Sequence, residues 1–145
     1  MRKESILPEW RTVGSEKLDE PATSYGTVTH HLSHKRVLFS GSTWPEGAVT
    51  EQVREILTRK ERAIEDLDGS MDDVVSMQVY VRDDALSRET QAAIHEICHE
   101  FFERPHFPAS TMVGVASLIN PDALVEIELE AQIPADEWNT DVVAE

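Results

Sequence analysis

The hydrophobic positions of this 145-residue chain change period along its length. From Val49 to Leu67 the apolar residues Val49, Val53, Ile56, Leu57, Ala63, Ile64 and Leu67 recur at the spacing of one helix face, with acidic residues early in the run. Gly69 follows as a C-terminal stop signal, and a first helix is predicted there. The stretch VVSMQVYV alternates instead. Val75, Met77, Val79 and Val81 fall on one side and Ser76, Gln78 and Tyr80 on the other, the pattern of a half-buried strand. A second helix is predicted from about Leu86 to Phe102, ending before Pro105 because the residue preceding a proline avoids the α region.

Four more segments read as strands. Thr27–Leu32 and Arg36–Ser40 (RVLFS) form a hairpin through SHK, and Gly41 breaks the second of them. TMVGVASL is a strand, NPD a turn and LVEIELEAQI the last strand. In that last strand Val125, Ile127, Leu129, Ala131 and Ile133 point one way, and Glu126, Glu128, Glu130 and Gln132 the other. The order β-β-α-β-α-β-β predicts a single α/β (α+β) domain with both helices on one face of one sheet. Residues 1–20 read as an extended lead-in, 21–133 as the domain and 134–145 as an acidic tail. The helix-free face must then meet either water or neighbouring subunits.

Composition narrows the partners. Twenty-eight acidic against thirteen basic residues leave a formal charge of −15, which disfavours nucleic acid and anionic lipid. Only four residues are lysines (Lys3, Lys17, Lys35 and Lys60), and an acidic, lysine-poor surface resembles that of halophilic proteins. The single cysteine, Cys98, leaves no internal disulfide and fits a reducing compartment. The first residues have no apolar h-region and no run reaches membrane-span length, so a cytoplasmic protein is expected.

Several residues invite chemical readings. His95, Glu96 and His99 spell H-E-x-x-H, the spacing of a zinc peptidase helix. On a helical wheel centred on Thr90, Ala93, Ile94, Ile97 and Phe101, however, each histidine lies about 160° from Ile97, and no later motif supplies a third ligand. A solvated helix face is the plainer reading. His30 and His31 point to opposite faces of their strand, so the cluster His30, His31 and His34 suits opportunistic rather than dedicated metal binding, and no metal site is assigned. Cys98 lies at the border of the apolar stripe with no nearby lysine or arginine to activate it. Arg54, Arg59, Lys60 and Arg62 interleave with Glu51, Glu55, Glu61 and Glu65 and read as a solvated face of i,i+4 pairs. Glu126, Glu128 and Glu130 either face solvent or share a desolvated cleft, where repulsion would raise a pKa and create a proton carrier.

In order and spacing, RVLFSGST, EQVREIL, DDVVSMQVYVRD, EFFERPHFPASTMVGVASL and LVEIELEAQIP resemble the Rid (RidA/YjgF) family over roughly residues 11 to 133. The resemblance implies a chorismate-mutase-like homotrimer with sheets inward, helices outward and small-molecule clefts between subunits. It implies cofactor-independent hydrolysis of enamines or imines to keto acids and ammonia. Glu126 matches the glutamate that positions water, Ser40 and Gly41 the loop whose backbone approaches the ligand, and Tyr25 the tyrosine at the mouth of the cleft. The family's PARS stretch carries an arginine that clamps a substrate carboxylate. Here the stretch is Pro108-Ala109-Ser110-Thr111, and a neutral hydroxyl at Ser110 cannot replace that planar charged fork. The hydroxyls of Tyr25, Ser40, Ser42, Ser110 and Thr111 suit a differently charged or uncharged molecule. The expected activity is therefore a deaminase-like hydrolase of altered substrate. A non-enzymatic, small-molecule-binding or chaperone-like trimer is the alternative, and a zinc peptidase the remote one.

The surface charge makes one expectation testable. Molar KCl should raise the melting temperature, because mobile ions screen the self-repulsion of an acidic surface. A melting curve that is indifferent to KCl would remove the basis for halophilic adaptation.

Overall fold

The final strand organises the layers. In a computed structural model, which describes residues 1–7, 12–13, 16–17 and 23–143, LVEIELEAQI forms a strand at Val125–Pro134, and its burial alternates strictly along that length. Val125, Ile127, Leu129, Ala131 and Ile133 are buried under the helices, while the residues between them lie on the opposite face. Among the described residues the elements run β1 (Arg2–Ile6), β2 (Thr12–Val13), β3 (Glu16–Lys17), β4 (Gly26–His30), β5 (His34–Ser42), α1 (Val49–Asp66), β6 (Val74–Arg82), α2 (Arg88–Cys98), β7 (Ala109–Val115) and β8 (Val125–Pro134). One mixed sheet has the strand order β1-β4-β5-β8-β6-β7. Only the β6–β7 pair in it is parallel, joined through α2, whereas β8 lies antiparallel between β5 and β6. The domain is thus the expected α+β layer of two helices on one sheet.

Both helices cover the same face. Val53, Ile56, Leu57 and Ile64 of α1 and Ile94 and Ile97 of α2 meet Val28, Val37, Phe39, Met77, Val79, Val81 and the apolar side of β8 in one core. Each fully buried aliphatic side chain contributes about 1.5–3 kcal/mol relative to exposure. No described helix is long and apolar enough to cross a membrane.

Several boundaries differ from the sequence reading, each for a local reason. Gly41 does not end β5; the strand continues to Ser42 across an irregularity. In β6 it is Val74 rather than Val75 that is buried, because the register with β8 shifts between Val74 and Ser76. Helix α2 starts after Ser87, whose hydroxyl accepts the Thr90 N–H at 3.0 Å, and ends at Cys98. Beyond it the chain tightens, with Glu100 N–H donating to Ile97 O at 2.9 Å and Phe101 N–H to Cys98 O at 3.0 Å, which turns Phe102 into the core. At the end of α1 the left-handed residue is Asp68 (φ 67°), not Gly69. Gly69 is needed for room instead, since a Cβ there would stand 2.7 Å from Ile133 Cδ1. Both ends of the chain also contribute: β1 adds an antiparallel strand beside β4, and the Trp138 indole N–H donates to Asp73 Oδ1 at 2.9 Å.

One buried amide joins the start of α1 to the start of β8. The Gln52 side chain, 1% exposed, donates to Gly47 O at 3.1 Å and accepts the Leu124 N–H at 2.8 Å. Gln52→Leu removes both bonds and strands buried backbone groups, so urea unfolding should show a loss of about 1–3 kcal/mol. An unchanged midpoint and slope would show that the amide is dispensable.

Candidate functional site

A bulge in β5 gathers most of the candidate residues. Phe39 pairs with Leu129 and Ser42 with Ile127, so Ser40 and Gly41 together stand opposite the single residue Glu128. The bulge is held from the β4 side by the Ser40 N–H donating to Tyr25 O at 2.9 Å and by the Ser40 hydroxyl donating to Ser24 O at 2.8 Å. The Tyr25 ring packs edge-on against Phe39 with centroids 5.6 Å apart.

On the helix side of the bulge lies Lys60, which is 0% exposed. Its Nζ donates to Ser40 O at 3.1 Å, sits 2.8 Å from Ser42 Oγ, and lies 4.9 Å from the Tyr25 ring centroid and 5.0 Å from that of Phe39. Burial lowers its pKa to about 7, against the upward pull of Glu126 and Glu128. The sequence reading placed Lys60 on a solvated face, and that is corrected here. A signal was present: Lys60 follows Val53, Ile56 and Leu57 by seven, four and three residues, in register with the buried stripe. The rest of that basic cluster is peripheral. Arg59 does pair with Glu55 (3.1 Å, i,i+4), whereas Arg54 reaches across to Glu100 beyond α2 at 2.9 Å.

On the helix-free side lie the three glutamates. Glu128 accepts the Tyr80 hydroxyl at 2.7 Å, and Glu130 accepts Arg36 Nε at 2.9 Å. Among the described residues Glu126 has no such donor. Its carboxyl lies over Gly41, where an added Cβ would come within 3.0 Å of Glu126 Cδ. Only glycine lets the carboxylate and the bulge backbone approach so closely. Desolvation first, and Glu128 second, raise the Glu126 pKa, while Lys60 opposes them. The bulge therefore has a buried amine of lowered pKa beneath it and a carboxyl of raised pKa above it.

Tyr25, Ser40, Gly41, Ser42 and Glu126 thus converge on one bulge, but Ser110 and Thr111 do not join them within the chain. Both lie on β7, separated from β8 by β6. Ser110 is in register with the buried Met77 and faces a cleft of about 180 Å³ whose lining includes Ile94, His95, Cys98, His99 and Phe107. Thr111 is in register with Gln78, itself opposite Glu128, and so shares the glutamates' face at about 10 Å, two strand spacings away. A second cleft, of about 340 Å³, opens between α1 and the β1–β4 side of the sheet, lined by Ile6, Tyr25, Ser42, Trp44, Ile56 and Arg59 among others.

The histidines and the cysteine have quieter surroundings. His95 and His99 are exposed at the rim of the 180 Å³ cleft, and His99 lies past the end of the helix. Among the described residues no group of three or more His, Cys, Asp or Glu is placed to hold a metal ion. His31 and His34 stack with ring centroids 4.6 Å apart. Burial pushes the Cys98 thiol up to about 11, which keeps it protonated and unreactive near neutrality.

Comparison with known proteins places this fold. The family model described as endoribonuclease L-PSP matches residues 17–133. A Dermatophagoides farinae protein named 2-iminobutanoate/2-iminopropanoate deaminase is 33% identical over 82 residues, which span 57% of this chain and 59% of that protein. The chain therefore aligns with about six-tenths of the curated relative's length. A Mycobacterium tuberculosis structure of the YjgF family superposes with a TM-score of 0.70 at 25% identity, covering 91% of this chain and 100% of that one. A Neisseria meningitidis YjgF-family structure (TM-score 0.68, 18% identity, 94% and 98% coverage) and a Yersinia pestis Rid-family structure (0.68, 20%, 91% and 100%) share the fold.

The lowered Lys60 pKa sets the sign of a stability experiment. Between about pH 7 and the ordinary lysine value of 10.5 the unfolded chain holds a proton that the folded chain has released, so stability rises with pH in that window. The difference in unfolding free energy, wild type minus Lys60→Met, should climb toward a slope of about 1.4 kcal/mol per pH unit. A difference that stays flat from pH 7 to pH 10 would mean that the amine titrates normally.

Proposed function

The chain belongs to the endoribonuclease L-PSP family, the YjgF/Rid group, and on that premise we propose that it is a homotrimer. In this reading the clefts between its subunits hydrolyse a small enamine or imine without a cofactor. The observation that carries the reading is Glu126 lying over Gly41 on the helix-free face, with its pKa raised by desolvation and by Glu128. A carboxyl that holds its proton closer to neutrality can give it to a substrate and recover it from water. The gap between this group and β7 is the second support: Ser110 and Thr111 lie on a strand that, among the described residues, has no strand partner on one side, where a neighbouring copy's bulge can be met.

The substrate differs from a 2-imino acid in this reading, because Ser110 stands where the resembled family places its carboxylate-binding arginine. A hydroxyl offers one rotating donor and no charge, so recognition favours an imine or enamine without a carboxylate at that position. The uncovered face also includes Leu38 and Val113, exposed by 40% and 42%, which trimer formation would take out of water.

Three measurements test this reading. Sedimentation should give three times the 16.3 kDa chain mass. Ammonia release from freshly generated uncharged imines should fall by about a hundredfold or more in Glu126→Gln, as expected when a general acid–base is lost. Ser110→Arg should shift preference at least tenfold toward 2-aminoacrylate, in line with a restored charged clamp. A stable lone subunit, or ammonia release that ignores Glu126, would defeat the proposal.

A further inference from the structure

The pair formed by Lys60 and Ser42 does not enter the reading above. It lies on the helix side of the bulge, away from Glu126, and it has the parts of a nucleophile and its base. Ser42 Oγ is 2.8 Å from Lys60 Nζ, the amine is fully buried, and the serine lines the cleft of about 340 Å³ between α1 and the β1–β4 side of the sheet. We propose that Ser42 is the nucleophile and Lys60 the general base of a Ser–Lys esterase site facing that cleft. The inference stands whether or not the trimeric deaminase reading holds.

Three physical observations support it. First, the amine is oriented. Nζ donates to Ser40 O at 3.1 Å and to Ser42 Oγ at 2.8 Å, and the Ser42 hydroxyl donates to Ser40 O at a long 3.4 Å; once the amine is neutral, its lone pair is within reach of the Ser42 proton after a rotation of that hydroxyl, which is the separation a base needs. Second, packing alone does not call for a lysine there. Its neighbours on α1, Ile56, Leu57 and Ile64, are apolar, so an aliphatic side chain would fill the site without desolvating a charge. Third, the amine reaches its neutral form near neutrality because burial outweighs the charges around it. The charges acting on it are Glu126 and Glu128 of β8, which hold the proton on from the other face of the sheet, with the rings of Tyr25 and Phe39 doing the same more weakly.

The cleft indicates the substrate class. Ile6, Leu7, Trp44, Ile56 and Ala63 give it an apolar wall, suited to the short acyl chain of an uncharged carboxylic ester. In the first step Ser42 Oγ attacks the ester carbonyl carbon while Lys60 Nζ takes the hydroxyl proton. Collapse of the tetrahedral intermediate breaks the bond to the alcohol oxygen, which leaves with the proton from Lys60. Water then attacks the acyl-serine, with Lys60 again accepting a proton and returning it to Ser42 as the carboxylic acid departs.

The test uses the full chain with a fluorophosphonate probe and p-nitrophenyl butyrate. The proposal expects one adduct, mapped by peptide mass spectrometry to Ser42, with a labelling rate that rises through about pH 7 to a plateau as Lys60 loses its proton. Ser42→Ala should abolish both labelling and the burst of p-nitrophenol. Lys60→Met should slow labelling at least a hundredfold while near-ultraviolet circular dichroism stays that of the wild type. If that variant does not fold, the wild-type adduct position and pH profile still decide. No adduct, an adduct on Lys60 or elsewhere, or a rate that climbs only above pH 9 would overturn the proposal.

Discussion

The strict alternation of β8 is the constraint on which the rest depends. A strand with Val125, Ile127, Leu129, Ala131 and Ile133 on one side and carboxylates on the other can lie only between an apolar layer and a polar one. Placing it at the centre of the sheet, between β5 and β6, commits both helices to the same face. The glutamates are then aligned on the other face, where their mutual repulsion and partial burial act on one another.

The β5 bulge converts that layered arrangement into a local site. One extra residue opposite Glu128 lets Gly41 come up against Glu126 and turns the Ser40 carbonyl and Ser42 hydroxyl toward Lys60. Opposite charges thus approach the same short backbone segment from the two faces of the sheet without direct contact between them. Each tunes the other, since the lysine lowers the glutamate pKa and the glutamate raises that of the lysine. Desolvation is the largest cause in both cases, raising the glutamate pKa and lowering that of the lysine, so it favours the neutral form of each.

The family resemblance and the physical reading meet at this bulge and separate at β7. Tyr25, Ser40, Gly41, Ser42 and Glu126 are close neighbours in one chain, while Ser110 faces α2 across a small apolar cleft. A site that needs both groups needs two copies. The YjgF and Rid structures share the backbone fold at low sequence identity.

The sequence by itself determined the order of the two helices and of the five strands β4 to β8, the helix-bearing face and most residues of the core, because these follow from period and alternation, which are properties of nearest neighbours along the chain; the added edge strand β1 was not among them. It also marked Glu126 and Gly41 through the resemblance. Only the tertiary structure decided that Gly41 lies inside a strand, that Val74 rather than Val75 turns inward, and that Ser110 faces a helix. Each of these depends on cross-strand register, which no local pattern encodes. Lys60 shows the boundary most clearly. Its spacing put it on the buried stripe, yet its charge argued for solvent. The contest was settled by a carbonyl and a hydroxyl contributed from a strand eighteen or more residues earlier in the chain, which made burial of the amine physically tolerable.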